Sequence, residues 1–247
     1  MNEPKKLPFV WELDYDGVIS NTIGTMHAVR NIFGDDITAK LDGKTNLLLE
    51  CTPDAMASHG QAILDILFEN YNDSERNTFL NAFGTDYDTL RQLNPAHLYS
   101  CLFNPTNYRD YPAVDFVCYE KARSNNIQII GLETPQEKLD WLRQSQLASM
   151  FKLARQDLQK ACQVIPGLMR FGLELLMNAY ENGHESLPFG RPQDTADSSQ
   201  RNQKMVERSL TYLHQPSVVA VGLDHFIAAP TIIDLYQEKG IKVKRVQ

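Results

Sequence analysis

Apolar runs typical of β-strands lie at both ends of the chain, and apolar residues at helical spacing fill its middle. Residues 9–13 and 18–23 are predicted to form two strands joined by a tight turn at Asp16-Gly17. Residues 217–221 and 241–246 are predicted to form two further strands. The chain is therefore expected to be an α/β protein whose strands come from both ends.

The middle of the chain is expected to be mainly helical, at about residues 52–125 and 135–214. Residues 46–50 precede this part as a short buried strand, and residues 127–131 divide it as another. Residues 181–199, rich in Gly, Pro, Ser and Asp, are expected to form an exposed loop. The predicted helices cover residues 54–69, 113–123, 151–180, 200–213 and 230–239.

Helix boundaries are indicated by a few specific residues. Thr134 is followed three residues later by Glu137, which is the spacing of a capping box at a helix start. Pro166-Gly167 is expected to interrupt the long helix, because a proline inside a helix removes a hydrogen bond. Gly240 is expected to end the last helix.

The two ends of the chain share one arrangement: a strand, a Gly-x-x-His segment, a helix and another strand. The two segments are Gly24-Thr25-Met26-His27 and Gly222-Leu223-Asp224-His225, and each glycine is expected to let the backbone turn sharply after its strand. If both units enter one mixed central sheet, both histidines leave its carboxyl edge, where α/β sheets bind ligands. We expect a single domain over residues 1–247.

Composition narrows the class of partner. The chain has 24 basic and 31 acidic residues and a net charge of -7, which argues against nucleic acid as a partner. No apolar run approaches the roughly 20 residues that cross a bilayer, so a soluble chain without a membrane span is expected. Residues 1–6 lack the apolar core of a signal peptide, and an exported or periplasmic location would require a signal that has been removed. The four cysteines are widely spaced and are expected to be reduced thiols.

Four further residues are candidates for chemistry. Glu50 ends an apolar strand, where a carboxylate calls for a metal, a cation or hydrogen bonds, or else is a solvated strand end. Glu133 also follows a strand, although it could instead favour the helix start beside Thr134. Arg201-Asn202 could bind a carboxylate or an oxyanion, or could be a solvated helix start.

The order of these residues resembles the TraB/GumN family, which is related to the Tiki metalloproteases. Phe9-Val10-Trp11-Glu12 followed by the first Gly-x-x-His segment is similar to the amino-terminal signature of that family. Residues 52–107 match only in general character, and residues 226–229 differ from the Leu and Gly-containing turn of many relatives. The other matches are Leu48-Leu49-Glu50, Asp115, Gly131-Leu132-Glu133-Thr134, Arg201-Asn202 with Met205, residues 219–225, Leu235 and residues 240–243.

This resemblance implies a hydrolase that depends on a divalent metal ion (Mn, Co or Zn) and acts on a peptide or protein substrate. His27 and His225 would be metal ligands, and Glu50 would be a third ligand or a general base. Glu133 would ligate the metal or orient a histidine, and Arg201 and Asn202 would stabilise an oxyanion. The chain has no His-Glu-x-x-His helix, which excludes a thermolysin-type site.

Two alternatives remain open at this level. Asp14 and Asp16 imitate the Asp-x-Asp opening of haloacid-dehalogenase phosphatases, but the same residues are typical of a hairpin turn, and no late Gly-Asp-x-x-x-Asp follows. The other alternative is a non-enzymatic binding or regulatory protein with the same fold and metal site.

Overall fold

The fold is built on one mixed β-sheet. A computed structural model describes residues 6–26, 33–93, 98, 101–102, 113–183, 196–227 and 230–246. The strands are β1 (Val10–Tyr15), β2 (Val18–Thr25), β3 (Asn46–Leu49), β4 (Gln128–Gly131), β5 (Ser217–Gly222) and β6 (Lys242–Arg245). They lie in the order β4-β3-β5-β2-β1-β6. The predicted α/β class, with a mixed sheet that draws strands from both ends, is confirmed.

The direction of the strands decides where a site can form. β2 and β3 each pair with β5 in parallel, and β4 pairs with β3 in parallel, so the carboxyl ends of these four strands lie at one edge of the sheet. β1 runs antiparallel to β2, and the turn between them has positive φ at Asp16 (52°) and Gly17 (85°). Two successive positive φ values are those of a type I′ hairpin turn. The tight turn predicted at these two residues is therefore confirmed.

Alternating side chains of the sheet form two separate apolar cores. Leu47 and Leu49 of β3 belong to the core on one face, and Leu48 belongs to the core on the other. This alternation follows from the two-residue repeat of a β-strand. β5 is buried at every position except its last, Gly222, because it lies between parallel neighbours in the sheet interior.

Helices cover the sheet and form the middle of the chain. The sequence predicts most of them, with boundaries that differ by a few residues. The helices are α1 (Gly34–Leu41), α2 (Pro53–Met56), α3 (Gly60–Leu67), α4 (Asp73–Phe83), α5 (Tyr87–Arg91), α6 (Val114–Ser124), α7 (Pro135–Gln144), α8 (Gln146–Ala154), α9 (Leu158–Glu181), α10 (Ala196–Leu210) and α11 (Ile232–Glu238).

Some predictions about the helices and the loop between α9 and α10 were wrong in detail. The helix expected over residues 54–69 is divided by a 3-10 turn at Ala57–His59. The helix expected over residues 151–180 is divided by a 3-10 turn at Arg155–Asp157 and not at Pro166-Gly167, since α9 continues through Pro166, whose side chain is buried. Packing of this face offsets the hydrogen bond that the proline removes. The expected loop over residues 181–199 is shortened to residues 182–195, between α9 and α10, and residues 184–195 of it lie outside the described residues.

A third core lies entirely within the helical layer. Phe68, Phe79 and Phe151 meet edge to face, with ring centroids 5.2 to 6.4 Å apart. Leu139 and Leu142 of α7 pack into the same core. α7 therefore connects the helical core to the residues that follow β4.

Two further expectations concern the whole chain. All four cysteines are free thiols, two of them buried and two partly buried. Among the helices that the structure describes, none has the length and hydropathy needed to cross a membrane.

Candidate functional site

Glu50 and Glu133 lie side by side at the carboxyl edge of the sheet. The pairing of β3 with β4 continues past both strands, since the N–H of Leu132 donates to the carbonyl of Leu49 at 2.7 Å. The N–H of Glu133 then donates to the carbonyl of Glu50 at 2.6 Å. Both carboxylates therefore leave the sheet at neighbouring positions, as two strand ends at one edge require.

Arg201 holds Glu133 with two hydrogen bonds. Its Nε donates to Oε1 and its Nη2 donates to Oε2 of Glu133, both at 2.7 Å. The Glu133 side chain is 5% exposed and that of Arg201 is 13% exposed. A buried, two-point contact between a guanidinium and a carboxylate fixes both groups in orientation as well as in charge.

Glu50 has contacts on both of its oxygens. Oε2 accepts a short hydrogen bond from Nζ of Lys138, and Nη2 of Arg201 lies 3.4 Å from the same oxygen. Oε1 accepts the backbone N–H of Gly222 at 2.6 Å. Nε2 of His225 lies 3.4 Å from Oε1. A carboxylate at the end of an apolar strand is thereby compensated by two cations and an N–H group.

These contacts set the ionisation of the buried groups. Burial by itself would raise the pKa of Glu50, but Lys138, His225 and Arg201 outweigh burial and hold that pKa well below its usual value. Burial would lower the pKa of Lys138, and the charge of Glu50 raises it instead. Both Glu50 and Lys138 are therefore ionised at neutral pH.

His225 is buried in a 3-10 turn, Leu223–Phe226, that directly follows β5. Its Nδ1 lies 2.5 Å from Oδ1 of Asn202. Nδ2 of Asn202 donates to the carbonyl of Pro230 at 2.8 Å, which leaves Oδ1 as the atom that faces the ring. Oδ1 can only accept, so Nδ1 carries the proton. Nδ1 is therefore committed to Asn202, and Nε2 is the ring atom that faces Oε1 of Glu50.

At the two glycines of the Gly-x-x-His segments, neighbouring atoms leave no room for a side chain. A Cβ atom on Gly222 would lie 2.7 Å from Oε1 of Glu50. A Cβ atom on Gly24, which is inside β2, would lie 3.0 Å from Leu223 and 3.2 Å from Phe9. Neither glycine has positive φ. The expectation that each glycine serves a sharp turn was wrong, because close packing is what excludes a side chain.

The two tryptophans of the chain contact different residues around this edge. The ring of Trp141 on α7 is 4.5 Å from the guanidinium of Arg201 and 5.0 Å from the ammonium of Lys138. Trp11 of β1 stacks on Phe226, with centroids 4.6 Å apart and an interplanar angle of 10°. Trp141 thus supports the two cations, and Trp11 packs against the residue that follows His225.

His27 lies outside the described residues. β2 ends at Thr25, which pairs with Gly222 of β5, so the chain leads towards both histidines from the same edge. The prediction that His27 and His225 share a site stays a prediction. Among the described residues no group of three His, Cys, Asp or Glu side chains is arranged to hold a metal. Glu50 and His225 provide two donor atoms close together.

Lys138 and Trp141 are the members of the site that the sequence did not identify. Lys138 follows Glu137 of the predicted capping box, one turn into a helix that starts beside Glu133. The sequence could have identified Lys138 from this position, since a lysine in the first turn of that helix lies close to both strand-end carboxylates. Arg201 and Asn202 belong to the second turn of α10, which begins at Ala196, and not to its start as expected.

Two other groups have no part in this chemistry: the thiol of Cys51, beside Glu50, and the carboxylates of the hairpin turn. Burial raises the pKa of Cys51 to about 11, so its thiol is protonated at neutral pH and is a poor nucleophile. Oδ1 of Asp14 accepts the N–H of Gly17 at 2.9 Å within the hairpin turn. Because β1 is antiparallel to β2, Asp14 lies near the end of the sheet where the parallel strands begin. The hairpin interpretation accounts for Asp14 and Asp16.

The fold and the site define a mixed α/β protein with ion-paired carboxylates and an oriented histidine at the carboxyl edge of its parallel strands. The sequence profile of the TraB/PrgY/gumN family matches residues 9–245. This chain belongs to the TraB/PrgY/gumN family. Searches of curated proteins and of solved structures gave no significant match.

Proposed function

We propose that this protein is a hydrolase that depends on a divalent metal ion, held by Glu50, His225 and His27. The observation that carries the proposal is the pair of acceptor atoms, Oε1 of Glu50 and Nε2 of His225, 3.4 Å apart. Since Nδ1 of His225 is committed to Asn202, Nε2 is the ring atom left to ligate a metal beside Oε1 of Glu50. A metal ion bound there would accept one lone pair from Oε1 and one from Nε2 of the neutral ring.

The donor set suits a transition-metal ion. Imidazole nitrogen and carboxylate oxygen are ligands of Zn, Co and Mn, and the proposal leaves the choice among these open. Two ligands of a tetrahedral ion with bonds of about 2.1 Å are separated by about 3.4 Å, which is close to the spacing of Oε1 and Nε2. His27 would complete the ligands, because it follows the strand that pairs with β5.

The surrounding residues would have distinct roles. A bound metal would supply a nucleophile by lowering the pKa of water from about 15.7 towards 7. Glu50 suits a ligand better than a general base, because its lowered pKa makes it a weak proton acceptor at neutral pH. Asn202 is fully buried, and we assign it to orienting His225, since its two polar atoms are both used.

Lys138 and Arg201 are the cationic donors closest to Glu50. We assign them to stabilising negative charge on the substrate, a role worth about 3 kcal/mol per donor in other enzymes. Glu133 orients Arg201 for this purpose through its two hydrogen bonds. A peptide bond as the substrate is supported by the resemblance to metalloproteases, and it is the part of the proposal that needs a direct assay.

Metal binding tests the site itself. Wild-type protein should bind one divalent ion with an affinity that falls by at least about tenfold in His225→Ala and in His27→Ala. His214→Ala is the matched control, because His214 is exposed and its ring packs on Tyr15 outside the site. Elemental analysis and calorimetric titration with Zn, Co and Mn provide the measurement. Equal metal content in wild type and both site variants would refute the proposed ligands.

Cleavage of a peptide library tests the reaction. We expect metal-dependent cleavage by wild-type protein that is lost in Glu50→Gln and kept in Glu238→Gln, which alters an exposed glutamate of α11. Normal metal binding without cleavage of any peptide would instead favour a binding or regulatory role for this site.

A further inference from the structure

One face of α9 carries a row of exposed apolar side chains, which we call the apolar stripe. Val164, Leu168 and Phe171 are 43%, 62% and 58% exposed. Ala161, which is only 7% exposed and lines the groove described below, and the partly exposed Leu175 continue the row in both directions, with alternating spacings of three and four residues. This is the heptad spacing of helices that pack against another helix along their length. A contiguous exposed row of this kind is typical of an interaction surface.

An apolar groove between α8 and α9 borders the stripe. It has a volume of about 520 Å³, and its lining includes Met150 and Leu153 of α8 and Ala161 and Val164 of α9. Leu153 is 63% exposed at its rim. The groove and the stripe therefore form one continuous apolar surface, because Ala161 and Val164 belong to both.

We propose that this surface binds a second copy of the chain, with the two α9 helices antiparallel about a two-fold axis. In such a closed dimer the same surface serves on both copies, and each contact occurs twice. The stripe supplies a protruding side chain, Phe171, and the groove supplies a recess. The surface is thus complementary to itself.

The heptad positions give the register of the pair. When Val164 of one copy faces Leu168 of the other, Ala161 faces Phe171. The large exposed ring of Phe171 then lies over the smallest residue of the stripe, at the groove of the second copy. An aromatic side chain that fills a recess lined by small and apolar residues is the usual anchor of a protein interface.

The charged residues that flank the stripe and the open space at Gly167 are both consistent with this register. Lys160 and Glu174, both exposed, occupy the flanking heptad position that directly precedes Ala161 and Leu175, and antiparallel pairing brings this position of one helix beside the same position of the other, so that Lys160 lies near Glu174 of the second copy. In this register the two-fold axis is level with residue 166, so Gly167, at the same flanking position as Lys160 and Glu174, lies within one residue of its own copy. A Cβ atom on Gly167 would meet nothing within 4 Å, so the helices have room to approach there. The opposite charges favour a second copy over an anionic membrane, which the net charge of -7 also disfavours.

Sedimentation equilibrium and light scattering test the dimer. Wild-type protein should dimerise at micromolar concentration, and Phe171→Asp should weaken the dimer by at least about 100-fold, since it places a charge in an apolar recess. Lys160→Glu and Glu174→Lys should each weaken it by about fivefold, and the double variant should recover wild-type affinity. Gln163→Glu, which adds a charge on α9 outside the stripe, should leave the dimer unchanged.

A crosslink tests the register. In a Cys162→Ser background, Gly167→Cys should form a covalent dimer on mild oxidation, whereas Gln163→Cys should not. A wild-type chain that stays monomeric, with no crosslink at position 167, would overturn the proposal. If residues 184–195 of the same chain cover the stripe instead, the protein will be a monomer, and Phe171→Asp will lower its free energy of unfolding without any change in association. That result would also overturn the proposal. Binding of wild-type protein to anionic vesicles without self-association would likewise overturn it.

Discussion

Glu50 leaves an apolar strand and meets four other residues within hydrogen-bonding or near-contact distance. The carboxylate is held by Lys138 and Arg201 on one oxygen and by the Gly222 N–H beside His225 on the other. Removing one partner of a buried ion pair costs about 3–5 kcal/mol, because the remaining charge has lost its compensation. At the scale of single residues, the site is therefore sensitive to any change that moves this carboxylate.

Gly222→Ala is predicted to displace Glu50. The added Cβ would lie 2.7 Å from Oε1, and we expect the free energy of unfolding to fall by about 1–3 kcal/mol. Chemical denaturation of four proteins measures this: wild type, Gly222→Ala, Glu50→Ala and the double variant. The cost of Gly222→Ala should be clearly smaller in the Glu50→Ala background. The same cost in both backgrounds would show that the carboxylate is not what excludes a side chain there.

At the scale of elements, Glu137 joins the start of α7 to α10. It accepts the N–H of Thr134 at 2.9 Å within the capping box. It also accepts hydrogen bonds from Nη1 and Nη2 of Arg208 at 2.7 and 2.9 Å. The hydrogen bond from Arg208, followed by that from Thr134, lowers the pKa of Glu137 from 4.5 to about 2. The carboxylate of Glu137 thus caps the start of α7 and also links α7 to α10 through Arg208.

The lowered pKa of Glu137 predicts a pH dependence. Because the folded-state value of about 2 is below the ordinary 4.5, the stabilisation is fully present above pH 4.5 and is lost as the pH falls towards 2. Glu137→Gln should lower the free energy of unfolding by about 1–2 kcal/mol at neutral pH, allowing for its partial exposure to solvent. The difference between wild type and variant should shrink below pH 4.5.

Glu238→Gln is the control for this prediction, since Glu238 is exposed at the end of α11. Its unfolding curves should follow those of wild type across the same pH range. A constant gap between wild type and Glu137→Gln from neutral pH down to pH 2 would contradict the assignment of that lowered pKa to Glu137.

At the scale of the whole molecule, the site lies where the sheet meets the helical layer. α7 contributes Lys138 to the site and Leu139 and Leu142 to the helical core. The ion pairs then connect α7 to β3 and α10. We therefore expect the two layers to unfold together, although each has its own apolar core.

Tryptophan fluorescence can show whether the two layers unfold together, because Trp11 is in the sheet and Trp141 is in the helical layer. Phe151→Ala removes a fully buried ring from the helical core and should cost about 3–5 kcal/mol. Denaturation followed in Trp11→Phe and in Trp141→Phe backgrounds should show the same shift in midpoint. A shift seen only by Trp141 would mean that the layers unfold independently.

Much of the fold follows from interactions between residues close in sequence. The hairpin at Asp16-Gly17, the capping box of Thr134 and Glu137, and the buried strands were predicted because turns, caps and alternating burial depend on a few neighbouring residues. The placement of Glu50 and Glu133 at one edge also follows, once parallel strands are expected.

Only the tertiary structure decided which side chains meet at that edge. Lys138 and Glu50 are 88 residues apart in sequence, and Arg201 and Glu50 are 151 apart, so their contacts depend on the strand order and on how α7 and α10 pack. The continuity of α9 through Pro166 depends in the same way on burial of one helix face. The opposite face of α9 stays exposed as the apolar stripe. Local periodicity determines which elements form, whereas the partners of a buried charge are determined by packing between elements distant in sequence.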